Sequence, residues 1–265
     1  MTIIVLSPWM LVAVYTLLLI PLTLILHFRL GLVRETLIAI VRMSVQLTLV
    51  GLYLSVLFEL NSIPLNLLWF FVMLAVANSA ILRQAKLAPR RFFLITFFGV
   101  SIATAGVSAL FVLAILRPTP LGDARYLIPI FGMVLGNCMR SNVTSLERFY
   151  SMLRDREKEY VTFLMLGATP IEACRPYFRT ALRAAVAPHV STMATMGVVS
   201  LPGMMTGQIL GGSDPSTAIQ YQLAIMICIF TAMMLTTSLN LLLSSRVAFD
   251  KYGVLRDDVF SKRAG

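Results

Sequence analysis

The sequence predicts an all-α integral membrane protein with about seven transmembrane helices, and three observations support this fold class. Of the 265 residues, 58% are hydrophobic and only 13% are charged, with a mean hydropathy of +0.85. Apolar runs of about 20 residues, long enough to cross the hydrocarbon core of a bilayer, occupy most of the chain. The basic residues fall in alternate loops, which argues against nucleic-acid binding despite the net charge of +10. We therefore expect a single polytopic membrane domain over residues 1–265.

Four predicted spans lie in the first half of the chain. Arg42 and Gln46 lie four residues apart in the second of these spans, so they share one helical face. A strongly basic loop, Arg83–Arg91, follows the third span, and a turn-rich connection follows the fourth. The predicted spans are Ile3–Leu26, Thr36–Phe58, Ile63–Leu82 and Phe92–Leu116.

In the second half of the chain, the apolar segments are not all uninterrupted membrane spans. The fifth apolar segment, Leu127–Met139, is short and contains Pro129. An amphipathic pattern follows, which predicts a helix that leaves the membrane and forms a cytoplasmic extension over residues 140–183. The sixth span is expected over Ala184–Thr206, interrupted at Leu201-Pro202-Gly203. A loop from Gly207, a seventh span over Ile219–Leu243 and a polar tail complete the chain. The amphipathic pattern places on one face Leu146, Phe149, Tyr150, Leu153, Tyr160 and Leu164.

The clearest signals for the end of one helix and the start of another lie at the end of this extension. Gly167-Ala168 ends one helical pattern, and Thr169-Pro170-Ile171-Glu172 begins another. Thr169 can cap the new helix, Pro170 suits its first position, and Glu172 can close a capping box. Pro176 predicts that the new helix is short, because it disfavours the helical conformation at the residue before it. A helix, a break and a short capped helix predict a rigid cytoplasmic knob that docks a partner, or an ordered connector without that role.

The basic residues also predict the orientation. Nineteen of the 22 Lys and Arg residues fall on one side of the predicted topology, whereas Arg117 and Arg125 fall on the other and Arg42 lies inside a span. The side with more basic residues faces the cytoplasm in most membrane proteins. We therefore expect the N-terminus outside, the C-terminus in the cytoplasm and an odd number of crossings.

Residue types missing from the predicted spans exclude several classes of membrane protein. No lysine lies in a span, which excludes a retinal Schiff base, and no Asp or Glu lies well inside one. Proton-coupled carriers generally use such carboxylates as relays. The sequence has no GxxxxGK[ST] loop for nucleotide phosphates and no clustered catalytic set. We therefore expect no enzyme activity in this chain, and energy from another subunit if the chain moves a solute uphill, while sodium coupling through hydroxyls and carbonyls stays open.

The predicted transport path follows the broken segments five and six. Helices interrupted by Gly and Pro expose backbone groups that hydrocarbon cannot satisfy, so they normally face protein or a water-filled cavity. Met139, Met196 and Met204 are candidate ligands for a soft metal ion, with core packing as the alternative interpretation. Arg42 is either functional or directed toward the membrane surface. The candidate path residues are Arg42, Gln46, Asn137, Met139, Met196, Met204 and Gln208.

The chain resembles the permease subunit of the FetB-type iron-export ABC transporters, whose plant relatives are linked to aluminium tolerance. The resemblance runs from Arg42-xxx-Gln46 to Gln222 and covers most of the protein. Its most specific pieces are Gly136-Asn137-Cys138-Met139, Leu166-Gly167-Ala168-Thr169, and PGMMTGQILGGSDPSTAIQYQ from Pro202 to Gln222.

This resemblance implies partners, cargo and coupling residues. Two permease copies would associate in the cell (inner) membrane with two copies of a cytoplasmic ATPase, which would hold ATP and Mg²⁺. No cofactor is expected in this chain, and membrane lipids rather than nucleic acid would surround it. Iron or a related metal ion would be the exported cargo. The alternatives are a nucleotide sugar as cargo, an ATPase-coupled adaptor without solute flux, and a sodium-coupled carrier. The expected coupling residues are Glu159, Gly167, Ala168, Thr169, Glu172 and Arg175.

Overall fold

The computed structural model describes residues 7–119, 123–250 and 252–261. Within them, regular structure is helical apart from three isolated β-bridges. A π-helical segment, Leu110–Leu116, extends α5, and a 3-10 turn covers Asp257–Val259. The α-helices are α1 Pro8–Thr16, α2 Leu19–His27, α3 Val33–Leu60, α4 Ile63–Gln84, α5 Pro89–Ala109, α6 Ala124–Asp155, α7 Glu157–Met165, α8 Pro170–Thr195, α9 Gly203–Leu210 and α10 Pro215–Ala248.

Five stretches of helix are long and apolar enough to cross a membrane. The long helices α6 and α8 also join the bundle, but their sequences are more polar than these five. The prediction of a multi-helix membrane protein is therefore confirmed at the level of fold class. The five stretches are Trp9–His27, Val33–Leu60, Ile63–Gln84, Pro89–Leu116 and Pro215–Ala248.

The core of the molecule is a bundle of α4, α5, α6, α8 and α10. α10 packs on α5 and α6, and α6 also packs on α8 and α4. Gly99 permits the close approach of α5 to α10, because a Cβ atom there would lie 2.0 Å from Asn240 Oδ1. At the cytoplasmic end predicted from the basic loops, Phe92, Phe149 and Tyr150 are fully buried. The amphipathic face predicted for the extension is thus confirmed as a packing face.

A polar seam joins α6 to α10 inside the bundle. Asn240 Nδ2 donates to Asn142 Oδ1 at 2.7 Å, and Asn142 Nδ2 donates to Thr236 Oγ1 at 3.1 Å. The hydroxyls of Ser141 and Thr237 are 3.0 Å apart. Polar side chains that bond across helices help to hold membrane bundles together, because hydrocarbon offers them no other partner. The seam therefore fixes the register of α6 against α10.

The three N-terminal helices lie largely outside this bundle. The most apolar windows of Trp9–His27 and Val33–Leu60 contain no buried residue. α3 meets the bundle near its end, where buried Leu57 packs with Ala124 and Ile128 of α6. The predicted first span is interrupted between α1 and α2, and its residues before Ser7 lie outside the described residues. These helices present apolar side chains around their circumference, as lipid-facing helices do.

The prediction of a short helix ending near Pro176 is wrong. α8 runs without interruption from Pro170 to Thr195, with Pro176 and Pro188 inside it. Pro176 removes one backbone hydrogen bond. Ala173 and Tyr177, on either side of it, are buried against the bundle, and this packing keeps the helix continuous through the proline.

The structure also defines the bounds of the fifth and sixth segments. The fifth apolar segment and the amphipathic stretch after it form one continuous helix of 32 residues, α6, in which Pro129 removes one backbone hydrogen bond in the second turn. The sixth span ends early, because Met196 is extended and Gly197 has φ +86°, which stops α8. The residues from Gly203 to Leu210, partly predicted as loop, form α9.

The polar tail folds back onto the bundle as a strap, residues 252–261. Ala88 N donates to Val259 O and Ser261 N donates to Lys86 O, both at 2.9 Å. Arg91 forms an ion pair with Asp258 at 2.6 Å. The strap is thereby bound to the loop between α4 and α5, a contact that the sequence did not reveal.

Candidate functional site

The first candidate site is the corner between α7 and α8, residues 165–172. α7 ends at Met165, and Gly167 adopts φ +91°, a conformation that glycine accepts without strain. Thr169 N donates to Glu172 Oε2 at 2.9 Å, while Glu172 N donates to Thr169 Oγ1 at 3.4 Å. The predicted capping box and helix break are therefore confirmed. Hydrogen bonds from Thr169 hold the pKa of the Glu172 carboxyl below its ordinary value.

The strap packs against this corner through contacts with α7 and with the start of α8. Tyr160 OH donates to Gly253 O at 2.7 Å, and Tyr160 is buried. Gly253 has φ +80°, and a Cβ atom there would lie 3.0 Å from Pro170 Cγ. A cavity of about 530 Å³ lies between the strap, α8 and the end of α10. The corner is therefore held by contacts with parts of the chain that are distant in sequence.

The outer face of the corner is apolar and exposed. Met165 is 81% exposed, Leu166 79% and Ile171 81%. Large apolar side chains exposed this far, beside charged residues, are typical of a surface that binds another protein or the membrane. This patch, Met165, Leu166 and Ile171, is called the docking patch below.

The predicted coupling residues gather at this corner to different degrees. Gly167, Ala168, Thr169 and Glu172 form the turn itself. Arg175 lies on the next turn of α8 and acts electrostatically on Glu172. Glu159 lies on α7, 3.7 Å from Arg156, and does not join the turn.

The second candidate site is a cleft of about 420 Å³ between α6, α8 and α10. α8 runs antiparallel to α6: Phe178 near its start packs on Phe149, and Met196 at its end faces the cleft with Asn137. α8 therefore ends beside the middle of α6 rather than at its outer end. The cleft is lined by Asn137, Arg140, Ser141, Thr144, Ala184, Ala185, Pro188, His189, Thr192, Met196, Met226 and Met233.

Polar contacts in this cleft centre on Arg140. The Asn137 amide donates from Nδ2 to the Met133 carbonyl at 2.8 Å and accepts at Oδ1 from Arg140 at 3.1 Å. The ring of His189 stacks on Phe230 with centroids 6.2 Å apart. Asn137 thus orients the guanidinium group of Arg140, and Phe230 orients the imidazole of His189.

Only two of the seven predicted path residues line this cleft, Asn137 and Met196. Met139 packs against the core shared with α4 and α5, and Met204 packs against the apolar cluster that includes Val134 and Ile229. Arg42 and Gln46 share a shallow groove on α3 with Glu35. Gln208 lies on α9, and its Oε1 has no hydrogen-bond partner among the described residues.

The three candidate methionine ligands are thus not assembled into one site. Met196 instead shares the cleft with Met226 and Met233. In the part of the chain that the structure describes, no three His, Cys, Asp or Glu side chains form a group that could hold a metal ion.

Arg140 and His189 are the cleft residues that sequence reasoning missed. Neither of them was among the predicted path residues. The available signal was the spacing of Asn137 and Arg140, three residues apart on what proves to be one continuous helix. This spacing was not used in the prediction, because the predicted fifth segment ends at Met139, between the two residues.

The comparisons with known proteins agree with this architecture. The model of the family described as "Uncharacterised protein family (UPF0014)" matches residues 8–249. The chain belongs to the UPF0014 family. The residues matched to UPF0014 contain the docking corner and the cleft, and they end at Phe249, before the strap. No solved structure matches the chain.

Three relatives of the chain carry names, one of which gives the family and two of which bear on function. A UPF0014 membrane protein of Synechocystis is 37% identical over 80% of this chain and 80% of its own length. The Arabidopsis thaliana "Protein ALUMINUM SENSITIVE 3" is 30% identical over 86% of this chain and 82% of its own. The Escherichia coli "Probable iron export permease protein FetB" is 30% identical over 84% of this chain and 83% of its own. The resemblance to this permease family is therefore confirmed.

Proposed function

We propose that this chain is the membrane-spanning permease subunit of an ABC exporter, driven by a separate cytoplasmic ATPase. The observation that carries the proposal is the docking patch, an exposed apolar surface on a corner made rigid by a capping box and a strap. A motor subunit can transmit force through such a corner because the corner does not yield locally. The similarity to a relative named as an iron export permease supports the same assignment.

The proposed topology has seven crossings, with α6 and α8 added to the five apolar stretches. The N-terminus would lie outside, and the docking corner, the α4–α5 loop and the strap would lie in the cytoplasm. The distribution of basic residues supports this orientation. The contact between the strap and the α4–α5 loop agrees with it, because both must lie on one side of the membrane.

The proposed cargo is iron or a related metal ion, in line with the name of the E. coli relative. The proposed path is the cleft between α6, α8 and α10. α8 ends there in an irregular segment, residues 196–202, beside the middle of α6. Irregular backbone within a membrane is found where it is buried in protein or lines a cavity. Two permease copies would form the complete transporter with two ATPase copies.

A substitution at the corner tests the coupling role. Gly167→Val places a β-branched residue at φ +91°, which should distort the turn and abolish stimulation of the ATPase in proteoliposomes that hold both subunits. Gly31→Val is the matched control, because Gly31 also has a positive φ, +70°, with open space around it. Equal stimulation by the Gly167→Val and wild-type permeases would contradict the assignment.

A second variant keeps the backbone intact. Ile171→Ser removes apolar surface from the docking patch without disturbing a buried contact, since Ile171 is 81% exposed. We expect weaker binding of the ATPase with unchanged thermal stability of the permease.

ATPase stimulation without Mg-ATP-dependent movement of iron or another solute would instead indicate an adaptor, and flux by the permease alone would indicate a carrier.

A further inference from the structure

The charge of the cleft is opposite to that expected for a site that binds a bare metal cation. Among its lining side chains in the described part of the chain, Arg140 carries the one formal charge and none is acidic. Like charges repel one another, and no acidic side chain in the described lining offsets the charge of Arg140. A bare divalent cation beside Arg140 would therefore be repelled rather than bound.

We infer that the cleft binds an oxyanion, a carboxylate or phosphate group of the cargo, with Arg140 as its principal contact. The inference rests on the proposed function, since it assigns the chemical class of the transported solute. A metal ion would then pass through this cleft as an anionic chelate. An organic phosphate would supply the same oxyanion chemistry without a metal.

Arg140 is oriented for such a contact. Asn137 accepts one guanidinium hydrogen bond at 3.1 Å and is itself fixed by its bond to the Met133 carbonyl. A guanidinium group has five N–H donors in a planar fork, so donors remain for a second partner. This fork matches the two oxygens of a carboxylate or phosphate, which a lysine ammonium does not.

His189 supplies a second polar group on the opposite wall of the cleft. It lies on α8 and lines the same cleft as Arg140 of α6, and its ring is held against Phe230. Its Nε2 is shielded from solvent and has no hydrogen-bond partner among the described residues. The hydroxyls of Thr144 and Thr192, by contrast, already donate to carbonyls of their own helices. Bonding capacity for an anion therefore remains on Arg140, on His189 and on the second amide N–H of Asn137.

A neighbouring cavity has space for the uncharged portion of an anionic solute. It has a volume of about 340 Å³, and it shares Met196 and Met226 with the cleft. Its other lining side chains are mainly apolar, including Leu201, Met205 and Leu223. An anion with an uncharged portion would place its charge at Arg140 and that portion against the methionines.

Binding to the isolated full-length permease in nanodiscs tests this inference without the ATPase. The probes are ferrous ion alone, citrate, ferric citrate and a UDP-sugar, and the measurement is the dissociation constant by calorimetry. We expect one or more of the three anions to bind, and Arg140→Gln to weaken that binding by about tenfold or more. Arg140→Lys should recover only part of the affinity because it lacks the planar fork. Arg125→Gln, which removes a charge from the start of the same helix, should leave the affinity unchanged.

The outcomes distinguish a metal chelate from an organic phosphate as the source of the anion. They also distinguish failure of this inference from failure of the proposed function. Tighter binding of ferric citrate than of citrate indicates a chelate, whereas selective binding of the UDP-sugar indicates an organic phosphate. The inference is overturned if none of the anions binds, or if their binding is unchanged in Arg140→Gln. It is also overturned if ferrous ion alone binds with an affinity that Met196→Leu reduces and Arg140→Gln does not. If the permease binds an anion through Arg140 but no ATPase stimulates its transport in proteoliposomes, the proposed function is contradicted and the inference stands.

Discussion

The docking corner and the cleft use the same helix, α8, in opposite ways. At the start of α8, Ala173 and Tyr177 are buried, and the strap and α7 close the structure around them. From Ala184 onward, α8 borders open space, and it ends at Thr195 without a regular cap. This difference in packing is what the proposed function requires, with force received at one end of the helix and a solute accommodated at the other. Three experiments test the difference.

The largest difference is expected from a matched pair of substitutions on α8. Ala181 is fully buried in the packed half, whereas Ala184, about one turn further, lines the cleft. Ala181→Leu should destabilise the protein by about 2–3 kcal/mol because the added atoms have no room. Ala184→Leu should cost less than about 1 kcal/mol, since the cleft can accept the side chain, but it should obstruct transport. Thermal unfolding in nanodiscs measures both, and equal costs would show that the two halves do not differ in packing.

Detaching the strap should have an intermediate effect. Gly253→Val is strained at φ +80°, and its Cβ atom would press on Pro170. We expect a loss of about 1–3 kcal/mol and faster hydrogen exchange at the corner amides, with little change at the cleft. Gly31→Val again controls for the strain of a positive φ, because it lies in open space far from the corner in sequence. Unchanged exchange at the corner would show that the strap does not brace it.

The smallest effect is expected from acidification of the capping box. The pKa of Glu172 is lowered in the folded protein by hydrogen bonds from Thr169. The carboxylate therefore stabilises the corner above its unfolded pKa, and this contribution is lost as the pH falls through the lowered folded pKa. Hydrogen exchange at the start of α8 should become faster across that range. Glu172→Gln should remove this pH dependence, because the neutral amide does not titrate, and an unaltered pH profile in the variant would contradict the assignment.

The corner was far easier to predict from the sequence than the cleft. Thr169, Pro170 and Glu172 act within one turn of helix, so their spacing alone determines the cap. The cleft depends on where three helices pass one another, and α8 is separated from α6 in sequence by the whole of α7 and the corner. Pro176 shows the limit of local rules, because its helix-breaking tendency is outweighed by the burial of its neighbours.

Residue patterns were enough to predict the membrane class, the helix break and capping box at residues 165–172, and the apolar face of α6 and α7. These features follow from composition, from contacts within one helical turn and from helical periodicity. The folded molecule was needed to show that Arg140 and His189 line one cleft and that the strap binds the α4–α5 loop. Packing energy is shared among side chains far apart in sequence, so no local pattern records which of them will come together.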